Sequence, residues 1–344
     1  MNDLHPNLPD FDSLRPGARI AVRTCLNIGP ADRVLVLTDD ATLAIGEALA
    51  LEALATGAVV ILHRLEEFAP RPILAIPDGL LDAYSSFKPT ASLFAASSQR
   101  GEITFRLKLG KILRSEFKVR HGHMPGVTPE LMREGMTTDY NQVYDVTMAV
   151  NDIVSRAHTM HITSSKGTDL SAEFSPDLRW VPCHGRYHHQ GDWGNLPEGE
   201  TYTSPGRLEG VIVADILGDY FSSKYGLLEQ PVTFTIKDSL VVGIESANQV
   251  LADEVSQYLD SAENGRRAGE FAIGTNLGLT HLVGNLLQDE KYPGIHVAFG
   301  NPYPEQTGAP WACNIHVDVI PVQCTIDVDG RRLMTDGVFA PNIF

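Results

Sequence analysis

The chain changes texture near His158, and that change limits its fold more than any other feature of the sequence. Before it, apolar runs alternate with stretches of helical spacing. Arg33–Asp40 (RVLVLTDD) is a strand-like run ending in turn-forming acids, and Ala41–Thr56 is an Ala/Leu-rich helix. Gly57 stops that helix, and Ala58–His63 (AVVILH) is a second buried strand. Leu80–Ser85 reads as a helix and Ala91–Ala96 (ASLFAA) as a third strand. Strands separated by helices predict an α/β domain with a doubly wound, mostly parallel sheet. Thr128–Arg133 and Asp139–Ala157 also carry helical patterns, the second long and amphipathic.

Beyond His158 the pattern is one of short strands and turns, including GVIVADIL, GIHVAFG and NIHVDVIPVQCTID. Val232–Ile244 predicts a hairpin turning at Lys237-Asp238-Ser239, and Asn248–Tyr258 predicts a helix. At 344 residues the chain exceeds the usual size of one core. Two domains are expected: an α/β scaffold at 1–157 and an α+β domain at 158–344. The second should carry the chemistry, because ten of the twelve histidines lie beyond residue 120.

Charge narrows the function. A net charge of −16 argues against nucleic-acid binding, which rests on neutralising phosphates, and against adsorption to an anionic membrane. Nothing at the amino terminus reads as a signal peptide, and Ala44–Leu62 carries Glu47 and Glu52, unlike a membrane span. The four cysteines are scattered, with no CxxC pair, so neither a zinc ribbon nor a disulfide framework is expected. These features together predict a cytoplasmic protein. The first strand ends in TDDATLAIG and not in GxGxxG, so no dinucleotide site is expected.

The sharpest local signal is His316-Val317-Asp318 within NIHVDVI. Residues two apart on a strand face the same side, so imidazole and carboxylate converge. Burying both is costly unless something pairs them; a metal ion does so, and a simple His–Asp hydrogen bond is the alternative. His296 lies in a second strand of this kind (GIHVAFG), with Tyr303 seven residues later in the stiff loop NPYPEQTG. Glu270 opens GEFAIG, Glu290 lies in DEKYPG, and Glu198 and Glu200 lie in NLPEGETYTSP.

In order and wording these stretches resemble the aminopeptidase T/aminopeptidase S family of dinuclear metallopeptidases over about residues 195–330. That family builds its site from an NLPTEE-like turn, a GE strand, a DEN…HLALG…YPE segment and a terminal HVD strand. The resemblance implies an aminopeptidase-T-like fold and a homodimer. It also implies two divalent ions (Zn, Co or Mn) held by Glu200, Glu270, Glu290, His296, His316 and Asp318. Glu270 would bridge the ions or act as general base, and Tyr303 would donate to the oxyanion. The substrate would be a small molecule or short peptide cleaved by a metal-activated water. Three departures stand out: Gly199 replaces one of the paired acids, Glu290-to-His296 is one residue longer, and the loop before His316 is short.

The second half also resembles the 2,5-dihydroxypyridine 5,6-dioxygenases, which use an HxD strand and a further His at a mononuclear Fe(II) site. Ser165–Phe174 (SKGTDLSAEF) is similar to a stretch of theirs, but Gly274-Thr275-Asn276 stands where their additional His would fall. Glu270 and His296 favour the hydrolase pattern. Among the remaining histidines, His184, His188 and His189 suggest a substrate-pocket or dimer-contact loop. His121 and His123 share a strand face with no nearby carboxylate, which suggests a structural or pocket-lining role.

Overall fold

The computed structural model describes residues 11–218, 220–341 and 343–344; the first ten residues, part of the segment searched for a signal peptide, lie outside it. The chain divides into two units, one made of residues 11–141 and 185–198, the other of 142–184 and the described residues from 199 onward.

In the first unit a five-stranded parallel sheet runs in the order Val59–Arg64, Arg33–Thr38, Ala91–Ala95, Arg120–His123, Trp193–Asn195. This order, with the second strand outside the first, is that of doubly wound folds. Leu43–Leu54 and Asp78–Phe87 are the helices between successive strands, as the alternating pattern predicts. Two further helices of this unit have no clear signature in the sequence. Phe11–Arg19 buries one face through Leu14, Gly17 and Ala18 but is short and interrupted by Pro16, and Ile103–Ile112 has Arg106, Lys108 and Lys111 scattered through it and shows no clean apolar stripe.

The second unit holds two antiparallel sheets. The larger has eight strands, in the order Leu240–Glu245, Val232–Lys237, Arg207–Ala214, Asp169–Glu173, Thr159–Ser164, Cys324–Val328, Arg331–Thr335, Val338–Phe339. The predicted hairpin is there, closed by Asp238 and Ser239, both at positive φ, as a tight two-residue hairpin turn requires. The predicted helix spans Gln249–Asp260, with Asn248 accepting from the Leu251 N–H as its cap and Leu251, Val255 and Leu259 buried.

The smaller sheet has six strands: Ile216–Leu217, His316–Ile320, Gly294–Gly300, Ala268–Gly274, Glu200–Thr203 and Val181–Cys183. Alternate residues of its central strands, among them Phe271, Ile273, Ile295, Val297, Phe299, Val317 and Val319, enter one apolar cluster with the larger sheet's Ile162, Leu170, Ile212, Phe234 and Ile326. With that face committed to the core, every residue one position out of phase is turned to the other face.

The division falls elsewhere than the expected boundary at 157/158. Most of the Tyr140–Val154 helix belongs to the second unit, because Val146, Val150 and Val154 pack in that unit's core. Residues 185–198 belong to the first unit, because Trp193–Asn195 extends its parallel sheet beside Arg120–His123. Local pattern does not reveal a three-residue strand that joins a sheet seventy positions away in sequence. Among the described residues no helix is long and apolar enough to cross a membrane.

Candidate metal centre

The smaller sheet's second face carries all the sequence-predicted strand ligands. Register places Ala272 opposite His296, Ala298 opposite both Glu270 and Asp318, Gly300 opposite His316 and Gly274 opposite Glu200. Directly opposed residues of an antiparallel pair point to one face, so each large polar side chain has a glycine or alanine as neighbour across the ladder. Small residues leave room for the ligands to converge above the sheet. A bulge at Gly269 shifts the register just before Glu270; a Cβ on Gly269 would come 2.2 Å from the Gly300 carbonyl.

The resulting cluster lies wholly within the second unit. Glu270 stands between two imidazoles, Oε1 lying 3.4 Å from His296 Nε2 and Oε2 lying 3.5 Å from His316 Nε2. Asp318 Oδ1 is 3.4 Å from His316 Nε2 and 4.0 Å from His296 Nε2, and Glu200 Oε2 is 3.4 Å from His296 Nε2. Glu290, following the short Leu286–Asp289 helix, joins His296 and Asp318 in a group whose donor atoms all lie within 4.8 Å of one another, and Glu200, Glu270 and His296 form another. All six predicted ligands are therefore brought together.

The histidines are oriented from outside the cluster. His316 Nδ1 donates to the Asn301 carbonyl at 3.0 Å, which turns Nε2 towards Glu270 and Asp318. Burial alone would lower the basicity of both rings. For His296, the hydrogen bond to Glu270 and the charges of Glu200, Glu270 and Asp318 outweigh burial and raise the pKa to about 9. For His316, the charge and hydrogen bond of Asp318, with Glu270, raise it to about 10. Burial raises the Glu270 carboxyl against the pull of both imidazoles, whereas His316 outweighs burial at Asp318 and keeps its carboxyl low. Burial also lifts Glu290 to about 8, opposed by Lys291 and reinforced by Glu200 and Asp318.

The donors fit a divalent cation. Glu200 Oε2 and Glu270 Oε2 are buried carboxylate oxygens with no hydrogen bond, although each faces an imidazole nitrogen. Unsatisfied buried anionic oxygens are costly, and a cation at the convergence of mixed nitrogen and oxygen donors removes that cost.

Tyr303 lies beside this cluster. Its ring is 4.9 Å from the His316 ring and 5.8 Å from that of Tyr202, and its backbone adopts φ 48° just before the Pro304–Thr307 turn. A non-glycine residue there bears about 1 kcal/mol of strain, compensated by the Tyr303 N–H donating to Asn301 Oδ1. Burial and the carboxylates Glu270, Asp318, Glu290 and Glu200 hold its phenol well above the ordinary range, so the O–H stays protonated and able to donate.

Several site-forming residues were not legible as such. Nothing in DEKYPG singles out Lys291 from its charged neighbours, yet its side chain is fully buried, with Nζ 2.7 Å from both Glu200 Oε1 and Glu290 Oε1. The DEK run in an otherwise apolar stretch was the available signal. Asp289 turns its carboxylate to the backbone instead, accepting from the N–H groups of Val283, Gly284 and Asn285 and so shaping the preceding loop. Gly199, at φ 139°, explains the missing paired acid, since a Cβ there would come 2.8 Å from the Asn276 Cβ.

The remaining histidines stay apart from the cluster. In the first unit His121 is buried on Ser92 at 2.8 Å, burial lowering its pKa to about 3, and its Nε2 lies 3.3 Å from His123 Nδ1. His188 donates to the Thr24 carbonyl. In the second unit the His184 ring lies edge-on to Tyr144.

Comparison with known proteins places this geometry on a shared fold. The family described as NicX: 2,5-dihydroxypyridine 5,6-dioxygenase matches residues 128–274, a span that includes Glu200 and Glu270 and stops short of Glu290, His296, His316 and Asp318. No curated protein sequence gives a significant match. The 2,5-dihydroxypyridine dioxygenase of Pseudomonas putida KT2440 superposes with a TM-score of 0.72 at 17% identity, covering 98% of this chain and 99% of that one. Wild-type AmpT from Thermus thermophilus gives 0.68 at 19% identity, covering 96% and 100%. The chain therefore has the fold common to these two proteins, as its resemblance to both implied.

Proposed function

We propose that this chain is a metal-dependent hydrolase acting on a peptide or amide bond in an aminopeptidase-like manner. The observation that carries the reading is Glu270, held between His296 and His316 with one oxygen facing each. His296, His316, Asp318, Glu270 and Glu200 would hold the metal, with Glu290 at the edge of the set. When bound, a divalent ion lowers the pKa of coordinated water and polarises a scissile carbonyl. Glu270 is buried, with its carboxyl already raised, and so suits the transfer of that water's proton. Tyr303, protonated beside His316, suits donation to an oxyanion. The likeness to AmpT supports this assignment.

A second reading has a specific observation behind it. The family match over 128–274 and the likeness to the dihydroxypyridine dioxygenase support a mononuclear Fe(II) ring-cleaving oxygenase, for which His296, His316 and Asp318 supply two imidazoles and a carboxylate. One experiment separates the two. Protein loaded with Zn, Co, Mn or Fe(II) is assayed without oxygen on aminoacyl-anilides and short peptides, and in an oxygen electrode on dihydroxypyridines. The hydrolase reading expects oxygen-independent cleavage that Glu270→Gln abolishes. Turnover only with Fe(II) and oxygen, tolerant of Glu270→Gln, would establish the oxygenase instead.

A further inference from the structure

Of the carboxylates in the cluster, two are already engaged by a cation that belongs to the chain. Lys291 Nζ lies 2.7 Å from Glu200 Oε1 and 2.7 Å from Glu290 Oε1, and its side chain is wholly shielded from water. Its backbone is fixed as firmly. Lys291 N–H donates to the Gln288 carbonyl at 3.0 Å, and its own carbonyl accepts from Asn276 N–H at 3.1 Å. Across from it, a Cβ on Gly274 would come within 2.9 Å of the Lys291 carbonyl carbon and 2.0 Å of the Tyr292 oxygen. The backbone from which the ammonium projects is thereby tied to the end of the Ala268–Gly274 strand, and the two carboxylates hold the ammonium itself.

The geometry points to Lys291 as a built-in substitute for a second metal ion, limiting the site to one divalent cation at its histidine end. A metal ion bound to Glu200 Oε1 and Glu290 Oε1 would hold them at about 2.0–2.2 Å. It would have either to take the place of the ammonium or to lie a few ångströms from it with no water between. Two cations so placed in a buried setting repel strongly. The charges divide in the same way. Lys291 compensates the Glu200–Glu290 end, and a single divalent ion compensates Glu270 and Asp318 beside the two imidazoles. Glu200 Oε2, facing His296, remains able to complete that ion's shell. This inference rests on the metal-site reading and replaces its two ions by one ion and one ammonium.

The test is metal stoichiometry, independent of any substrate. The full chain, stripped with a chelator and re-equilibrated with Zn(II) or Co(II), is analysed for bound metal by elemental analysis and calorimetry. The wild type should take up one equivalent. Lys291→Met, which leaves Glu200 and Glu290 facing each other without a counter-ion, should take up two, the second lost again on adding Glu290→Gln. Lys291→Arg, which keeps the charge, should remain at one. Two tight equivalents in the wild type would overturn the role of Lys291 while leaving the metal site standing. A single equivalent in folded Lys291→Met would overturn it too. No uptake by the wild type would overturn the inference together with the metal reading beneath it.

Discussion

Gly218 lies against Asp318 so closely that no side chain fits between them: a Cβ on Gly218 would be 2.5 Å from Asp318 Oδ2 and 2.8 Å from its Cβ. The Gly218 N–H also donates to the Asp318 carbonyl at 2.8 Å, so neither backbone can retreat. Gly218→Ala is therefore expected to displace the carboxylate and weaken metal binding about tenfold or more, the range seen when the support of a ligand is lost. Gly29→Ala is the control, because nothing lies within 4 Å of a Cβ there. Calorimetric metal titration of both variants checks this, and equal affinities would show that Asp318 is not held through Gly218.

Removing a ligand should have a larger effect. His316→Ala and Asp318→Ala are each expected to lose bound metal and turnover while circular dichroism stays that of the wild type. Asp318 also keeps His316 protonated in the metal-free site, so its loss should lower the His316 pKa. Metal retained in both variants would remove His316 and Asp318 from the site.

Tyr303→Phe isolates the hydroxyl. The ring contact with His316 survives, so metal content should not change. Turnover should fall on the order of a hundredfold, as for the loss of one oxyanion donor, with little change in KM. An unchanged kcat would reduce Tyr303 to packing.

Protonation of the metal-free site sets a pH dependence of stability. The His296 and His316 pKa values, about 9 and about 10, lie above the ordinary imidazole value of 6.5. Their contribution is complete below pH 6.5 and is lost as pH rises through 9 and 10. Glu290, raised to about 8, acts in the same direction from its ordinary 4.5 upward. The stripped protein should therefore lose Tm as pH rises towards 10, most steeply between 6.5 and 8 where all three groups are linked, at roughly 1.4 kcal/mol per pH unit for each fully linked proton. Saturating metal, which displaces the imidazole protons, should flatten the part of the profile that they set. A flat profile in stripped protein would mean that the imidazoles are neutral there.

What could be read from the sequence follows from how local each cause is. His316 and Asp318 declare themselves two apart in an apolar strand, and Glu270 and His296 need only their own strands to be recognised. The Asp238-Ser239 turn and the Asn248 cap are equally local. Lys291 was hidden because its meaning depends on Glu200, ninety-one positions earlier, meeting Glu290 in space. Gly218 was hidden for the same reason, as was the return of Trp193–Asn195 to the first sheet, which moved the expected domain boundary. Choosing between hydrolysis and oxygenation depends on bound ions and substrate, which no run of residues spells out.

The row formed by Ala272, Gly274, Ala298 and Gly300 has a consequence for how such a centre can diversify. These positions make a floor of near-bare backbone across the ladder from the candidate ligands. Gly300 and Gly274 have no margin at all, a Cβ on either coming within 2.2 Å of a neighbouring carbonyl oxygen. On the enzyme reading proposed above, substrate selectivity would fall to the walls, the segments 275–285 and 301–315 that follow the strands carrying Glu270 and His296. The floor decides how much room exists, and the walls decide who may occupy it.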